Sequence, residues 1–157
     1  MPDADDIMAN LDYNRDVVGV DYDVGSHEVT EEQVIGFAKA IGETNPMYLD
    51  REFAAKSPYG TLIAPPAYYT SIRLESAPDA DVKFGTTGFN ASQHCEFYEP
   101  MLVGDTISAR TQVSNVYAKT GRTGTMVFTV RRTTYTNQHG RDVMMVESSM
   151  VRRDMNQ

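Results

Sequence analysis

Gly42-Glu43-Thr44-Asn45-Pro46-Met47-Tyr48-Leu49-Asp50 and, shortly after it, Gly60-Thr61-Leu62-Ile63-Ala64-Pro65-Pro66 are irregular, proline-bearing stretches. Asn45-Pro46 reads as a tight turn. Between the two stretches REFAAKS, residues 51–57, reads as a short helix with Asp50 as its N-cap. Proline is well placed in a first helical turn, so a second substantial helix is expected to start near Pro66. AYYTSIRLES, residues 67–76, fits it, with Tyr69, Ile72 and the stem of Arg73 inward. Upstream, Thr30 and Gln33 have capping-box spacing, and Glu31 and Glu32 suit the positive end of a helix. Val34, Phe37, Ala38 and Ile41 then share one face, and Gly42 ends the helix. Further back, Val18, Val20, Tyr22 and Val24 alternate with polar or small residues, the period of a half-buried strand over 16–29. Residues 1–15 read as a polar lead-in.

Downstream, residues 77–80 read as a linker and the remainder as strands: 89–100, 106–119, 125–137 and 141–153. MLVGD (101–105), TGRTG (120–124) and NQHG (137–140) are the turns between them. In the first of these strands, alternation puts Gln93, Cys95 and Phe97 on one face and His94, Glu96 and Tyr98 on the other. One strand, a helical block, then four antiparallel strands make an α+β chain. Its sheet must bury an apolar face, and the only apolar helix available to lie across it is the one after Pro66. The pattern alone leaves several α+β folds open.

The length of 157 residues fits one domain, read as 1–157, and is enough to bury a core without staples. The net charge of −8 argues against nucleic acid as a partner. Cys95 is the one cysteine, so no disulfide forms within the chain, which suits a reducing compartment. No run approaches the ~18 apolar residues of a membrane span. The acidic start lacks the basic and apolar regions of a signal peptide. A soluble, cytoplasmic protein is the expectation. No set of His, Cys and carboxylates has metal-ligand spacing, and no metal is expected. Cys95 reads as a small strand residue and His94 as a half-exposed strand histidine. Arg131, Arg132, Arg152 and Arg153 form the basic clusters. They read as solvated strand faces or intersubunit salt bridges, with the phosphates of an anionic ligand as the other reading.

The two opening stretches resemble a motif pair of the MaoC-like (R)-specific enoyl-thioester hydratases and dehydratases. Many of these carry Gly-Asp-x-Asn-Pro-x-His-x-Asp after a first helix. A Gly-x-x-Ile-x-His-Gly-like turn then leads into a central helix. Phe97-Tyr98-Glu99-Pro100-Met101-Leu102-Val103-Gly104-Asp105-Thr106 is similar to the family's strand ending in Pro-x-x-x-Gly-Asp. The three matches stand in family order over about residues 30–110. The resemblance implies a single hot-dog domain, a curved antiparallel sheet wrapped around a central helix. It also implies water addition to, or removal from, the double bond beside a thioester carbonyl. The acyl group would be carried as substrate on coenzyme A or acyl carrier protein, with no separate cofactor.

That chemistry needs one group to move a proton at one carbon while hydroxide moves at the other. It also needs a donor for the thioester oxygen. In this chain the family aspartate is Glu43, one methylene longer, and the family histidine is Tyr48, a far weaker base. The glycine that would offer its N–H aligns with Pro66, which has none. These changes resemble the non-catalytic half of heteromeric or double-hot-dog members, which shapes the acyl groove. The expected partner is a second MaoC-like hot-dog chain with an intact Asp-x-Asn-Pro-x-His, in a dimer or a dimer of heterodimers joined sheet edge to sheet edge. Glu43 and Tyr48 are the candidate catalytic positions. Asn45, Pro46, Ala64, Pro65, Pro66 and Tyr69 are the candidate substrate-binding residues. Tyr68, Phe89, Phe97 and Tyr98 are further aromatics that line either a groove or the core. Three alternatives stand beside the paired reading: an independently active hydratase using Glu43 and Tyr48, a non-enzymatic acyl-CoA-binding homodimer, and a hot-dog thioesterase.

Overall fold

Period-2 alternation becomes a five-stranded sheet in the computed structural model, which describes residues 4–154. The strands are β1 (Tyr22–Glu28), β2 (Thr87–Phe97), β3 (Thr106–Gly121), β4 (Gly124–Thr136) and β5 (Asp142–Arg153). Their order is β1-β3-β4-β5-β2 and every neighbouring pair is antiparallel. Each ladder carries a register irregularity, between Asp23 and Ser26 in β1, for example, and between Asn90 and Ser92 in β2. Such irregularities bend and twist strands, which curves the sheet. The expected turns are in place. Gly121 pairs with Gly124 across the β3–β4 hairpin. Asn137 Oδ1 accepts from the backbone N–H groups of His139 and Arg141 in the β4–β5 turn.

The helices are α1 (Ala4–Asn10), α2 (Glu31–Ala40), α3 (Pro46–Leu49) and α4 (Arg51–Ala55). Thr30 caps α2, its hydroxyl accepting from Gln33 N. Val34 and Ala38 are fully buried, and Phe37 packs edge-on against Tyr68 at 5.7 Å. Ile41, expected on that face, is exposed, because it lies at the cap where the chain turns away through Gly42 at φ +75°. No helix among the described residues is long and apolar enough to cross a membrane.

Three expectations need correction. The helix over 67–76 is only a six-residue 3-10 helix, Pro66–Ser71. The Thr70 and Ser71 hydroxyls donate to the carbonyls three residues back, of Ala67 and Tyr68. Such bonds compete with helix propagation. Beyond Ser71 the chain runs as a strap over the concave face, tied down by Glu75 N to Val24 O and Lys83 N to Asp12 O. Second, the strand expected from residue 16 starts only at Tyr22; Val18 makes a lone parallel bridge to Val113, and Val20 is exposed. Third, the polar lead-in contains α1. Ile7 and Met8, with Leu11 just beyond the helix, form an apolar stripe packed on the sheet's far half. Residues 1–3 of that lead-in lie outside the described residues.

The concave face therefore carries two clusters. Tyr68, Leu62, Val24, Ile107 and Met144 are among the most buried side chains at the end of the sheet under α2 and the 3-10 helix. Leu11, Val17, Ala80, Val82, Val113 and Val127 fill the end under α1 and the strap. β2 differs from every other strand. Of its residues only Thr87 and Cys95 are even half-buried, and its outer edge has no pairing strand among the described residues.

Gly85 fixes where the strap rejoins the sheet. It has φ +63°, and a Cβ there would stand 2.4 Å from the Arg153 backbone. We expect Gly85→Ala to cost about 2–4 kcal/mol, combining left-handed strain with a backbone clash. Gly88→Ala, whose nearest contact would be an ordinary 3.5 Å, should cost under ~1 kcal/mol. Urea midpoints of the two variants check this; equal losses would refute it.

Candidate active site

The segment Gly42–Asp50 folds by local capping. Gly42 N donates to Lys39 O and Glu43 N to Ala38 O, closing α2. Asn45 Oδ1 accepts from Met47 N at 3.0 Å, and Pro46 fills the first position of α3. Asp50 Oδ1 accepts from Phe53 N at 3.0 Å and caps α4, as its place in the sequence predicts. Arg51 pairs with Glu31, tying α4 to the start of α2.

The second stretch is clamped from both sides. Ile63 N donates to Met47 O, Ala64 N to Met101 O and Val103 N to Leu62 O. Leu62 and Ala64 are buried. The 98–106 segment that holds them is fixed by Asp105. Its carboxylate is 6% exposed and accepts from Leu102 N and from Gln138 Nε2, each at 2.9 Å. The three sequence matches thus meet in space, each held by backbone bonds to the next.

Where they meet lies an open cleft of about 250 Å³, lined mainly by apolar groups. Tyr48, Ala64, Pro65 and Pro66 form one wall, Phe97 to Met101 another, and Val143 and Met144 of β5 complete it. Of the sequence candidates, the structure brings Tyr48, Ala64, Pro65 and Pro66 to the cleft, and with them the aromatics Phe97 and Tyr98. Asn45 and Pro46 stand behind Tyr48 as its turn. Glu43 is half-buried beside that turn and is not among the lining side chains. Tyr69 points elsewhere. Its hydroxyl meets Gln93 Nε2 at 2.6 Å and Cys95 Sγ at 3.4 Å on β2, and its ring lies edge-on to Tyr135. Val143 and Met144 were not legible as site residues, being far along the chain and indistinguishable from core.

The electrostatics favour protonated phenols. Tyr48 is pushed above the ordinary tyrosine value, first by burial and then by the Glu43 carboxylate. At neutral pH it is a hydrogen-bond donor, not a base. Tyr69 is pushed up to about 12, by burial and then by its bond to Cys95. Tyr68 is 1% exposed and also raised by burial. Its hydroxyl donates to Gln33 Oε1 at 3.1 Å and meets His27 Nε2 at 2.8 Å. With the hydroxyl hydrogen spent on Gln33, His27 Nε2 is the donor. Gln33 thus spends its side chain on Tyr68 and leaves the capping box half-made. On β2, Glu96 accepts from Tyr98 Oη at 2.8 Å and contacts His94 Nε2 at 3.1 Å, so His94 is an exposed strand residue. Among the described residues no group of three or more His, Cys, Asp or Glu could hold a metal ion.

Comparison with known proteins gives a consistent picture. Residues 16–146 match the family described as "FAS1-like, dehydratase domain region". A UPF0336 protein of Thermobifida fusca is 29% identical over 115 residues, 69% of this chain and 75% of the relative. A 3-hydroxybutyryl-CoA dehydratase of Methylorubrum extorquens is 33% identical over 89 residues, 57% of this chain and 55% of the relative. Among solved structures, a MaoC-like dehydratase from Rhodospirillum rubrum superposes with a TM-score of 0.70 at 22% identity, covering 90% of this chain and 97% of that one. The HadBC (3R-hydroxyacyl-ACP dehydratase) complex from Mycobacterium tuberculosis gives 0.65 at 24% identity, over 86% and 96%. These likenesses show the hot-dog fold, with the 3-10 helix and strap standing where a central helix was expected.

Two outcomes follow from this geometry. Asn45→Ala removes the cap of α3 and should lower stability by about 1 kcal/mol, read from a urea midpoint, with Asn45→Asp losing less. Because Tyr69 holds its proton more tightly folded than unfolded, the stability it lends is intact below pH ~10, the ordinary tyrosine value, and is lost as pH rises through about 12. The urea midpoint should fall over that window, and more gently in Tyr69→Phe; parallel curves would contradict the assignment.

Proposed function

The chain belongs to the FAS1-like dehydratase-domain family, of MaoC-like hot-dog proteins, and from that premise we propose that it is a subunit of an acyl-thioester hydratase or 3-hydroxyacyl dehydratase. In this reading it shapes the acyl groove beside a second hot-dog chain that carries an intact Asp-x-Asn-Pro-x-His. The substrate is an enoyl or 3-hydroxyacyl group on coenzyme A or acyl carrier protein, and no other cofactor takes part.

One observation carries the reading. The frame of the site is complete, while neither position of the family's proton-moving pair offers a base to the cleft: Glu43 is not in its wall, Tyr48 holds its proton, and Glu99, the carboxylate that does line it, pairs with Arg141 at 3.1 Å. Asn45, Pro46 and the clamped Ala64-Pro65-Pro66 are all in place. The cleft presents a phenol held in its neutral form, and Pro66 offers no N–H to an oxyanion. A cleft of this kind binds an acyl chain better than it activates water. The free, exposed edge of β2 supports pairing. An 11-residue edge with Phe89, Phe97 and Tyr98 exposed is a surface that natural sheets cover or charge. The likeness to a two-chain dehydratase complex agrees with such pairing.

Independent activity has one observation in its favour: Glu43 is close enough to Tyr48 to act on its proton. The sign of that effect strengthens the phenol's hold on its proton and so opposes a role as base. A thioesterase would need a carboxylate free to act in the cleft; Glu43 is not found there, and Glu99, which is, pairs with Arg141 at 3.1 Å. An acyl-binding homodimer would use the same groove without turnover.

Hydration of a 2-enoyl-CoA, measured with this chain alone and with an intact-motif hot-dog chain, separates these readings. We expect turnover only with both, and unchanged turnover in Glu43→Ala. Tyr48→Ala should raise KM severalfold, with a smaller effect on kcat. Full activity from this chain alone would refute the paired reading, and free coenzyme A released in either assay would favour a thioesterase.

A further inference from the structure

Tyr69, a substrate-binding candidate by sequence, is absent from the walls of the open cleft. The sheet register shows what it does instead. Tyr135, Met144 and Phe97 stand side by side across β4, β5 and β2, and Met144 and Phe97 line the acyl cleft. Two residues further along each strand, Thr133, Val146 and Cys95 form the next row on the same concave face. After it come Arg131, Ser148 and Gln93. Arg131 and Ser148 line a second cavity, of about 350 Å³, which continues past Thr129, Met150 and Arg152 under the strap. From the Met144 row to the Ser148 row is about 13 Å at the rise of an extended strand. A single row of side chains therefore parts two cavities of one groove. Tyr69 stands over that row. Its ring lies edge-on to Tyr135 in the row of the cleft, with centroids 6.2 Å apart. Its hydroxyl meets Cys95 Sγ at 3.4 Å in the dividing row and Gln93 Nε2 at 2.6 Å in the row beyond. The side chain also packs on the core cluster that holds Met144 and Val146.

We propose that Tyr69 is the inner wall of the acyl cleft and limits its substrate to short acyl thioesters. The inference rests on the reading above, in which this chain shapes the acyl groove, and it sets the length of acyl group that the groove admits. At the ~30 Å³ that a water molecule occupies, the cleft of 250 Å³ seats about eight non-hydrogen atoms. The thioester oxygen and sulfur take two of these places, which leaves room for about six carbons. A longer chain has to cross the row of Thr133, Val146 and Cys95, and the Tyr69 ring closes that path. The hydroxyl is its latch. Both of its partners sit on β2, so turning the ring aside breaks two polar contacts at once. Without the ring, the cleft and the second cavity become one groove, with Val146 and then Met150 along its floor.

The test is calorimetric titration of the full chain, in its native assembly, with butyryl-, hexanoyl-, octanoyl- and dodecanoyl-coenzyme A. Each methylene that becomes buried tightens binding about fourfold. Affinity should therefore climb about tenfold or more from butyryl to hexanoyl and change less than about twofold from hexanoyl to dodecanoyl. In Tyr69→Ala the climb should continue, with dodecanoyl-coenzyme A held at least about tenfold more tightly than hexanoyl-coenzyme A. Tyr69→Phe keeps the ring but frees it from Gln93 and Cys95. A gain of about threefold or more for dodecanoyl-coenzyme A in that variant keeps the test decisive if Tyr69→Ala does not fold. Gly85→Ala, which is destabilised away from the cleft, should keep the wild-type ratio of long to short, and this separates a wall from a general loosening. Affinity that climbs through dodecanoyl in the wild type, a ratio indifferent to Tyr69, or no binding of any of the four would overturn the proposal. Because binding is read without turnover, a complex that hydrates no 2-enoyl-CoA yet shows the Tyr69-dependent length preference would sink the hydratase reading alone. A complex that hydrates 2-dodecenoyl-CoA as well as 2-butenoyl-CoA would sink the wall alone.

Discussion

The hydroxyl of Tyr68 lies inside a core where an unpaired polar group would cost several kcal/mol. It is satisfied by two partners on different elements, Gln33 on α2 and His27 on β1, while the Tyr68 ring packs edge-on against Phe37. The pair of bonds sets the position of the 3-10 helix, of which Tyr68 is the buried residue, relative to both α2 and the sheet. Once that helix is fixed, the preceding Ala64-Pro65-Pro66 is fixed with it, and so is one wall of the cleft. The site is thus placed by a hydrogen-bond junction behind it and not by the residues that line it.

Much of the fold was legible because two local codes are strong. Alternation with glycine- and asparagine-bearing turns gave β2 to β5 within a few residues, and Thr30 with Gly42 bracketed α2. The helix after Pro66 was misread because Tyr69 and Ile72 suit an α-helix, while the back-bonding of Thr70 and Ser71 that stops it is invisible to periodicity. On a 3-10 turn, successive side chains diverge by a third of a circle. Tyr68 therefore became the buried residue, and Tyr69 swung to Gln93 and Cys95 on the edge strand. Val20 misled in the same way: alternation is necessary for a half-buried strand but does not show that a partner strand is there.

The candidate site divides along similar lines. Asn45, Pro46 and Asp50 act through bonds to neighbours within three residues, so sequence reveals them. Tyr48 and the Ala-Pro-Pro wall came from the resemblance, and their meeting depends on the 98–106 turn anchored by Asp105. Val143 and Met144 arrive from β5, brought by tertiary packing that no local pattern encodes. The absence of Glu43 from the cleft wall is likewise a matter of placement: capping of α2 by Gly42 and Glu43 uses the backbone there to close a helix.

The strap over the concave face has a consequence for how such a groove can change. A helix advances about 1.5 Å per residue and an extended chain about 3.3 Å, so the same span is covered with roughly half the residues. Fewer side chains then hang into the groove, and its depth is set by the path of the main chain. Substitutions along residues 72–86 would alter that cover only at isolated points. Insertion or deletion in that stretch would move the whole cover over the far half of the concave face, while the acyl cleft, walled by residues 48, 63–66, 97–101 and 143–144, would keep its walls.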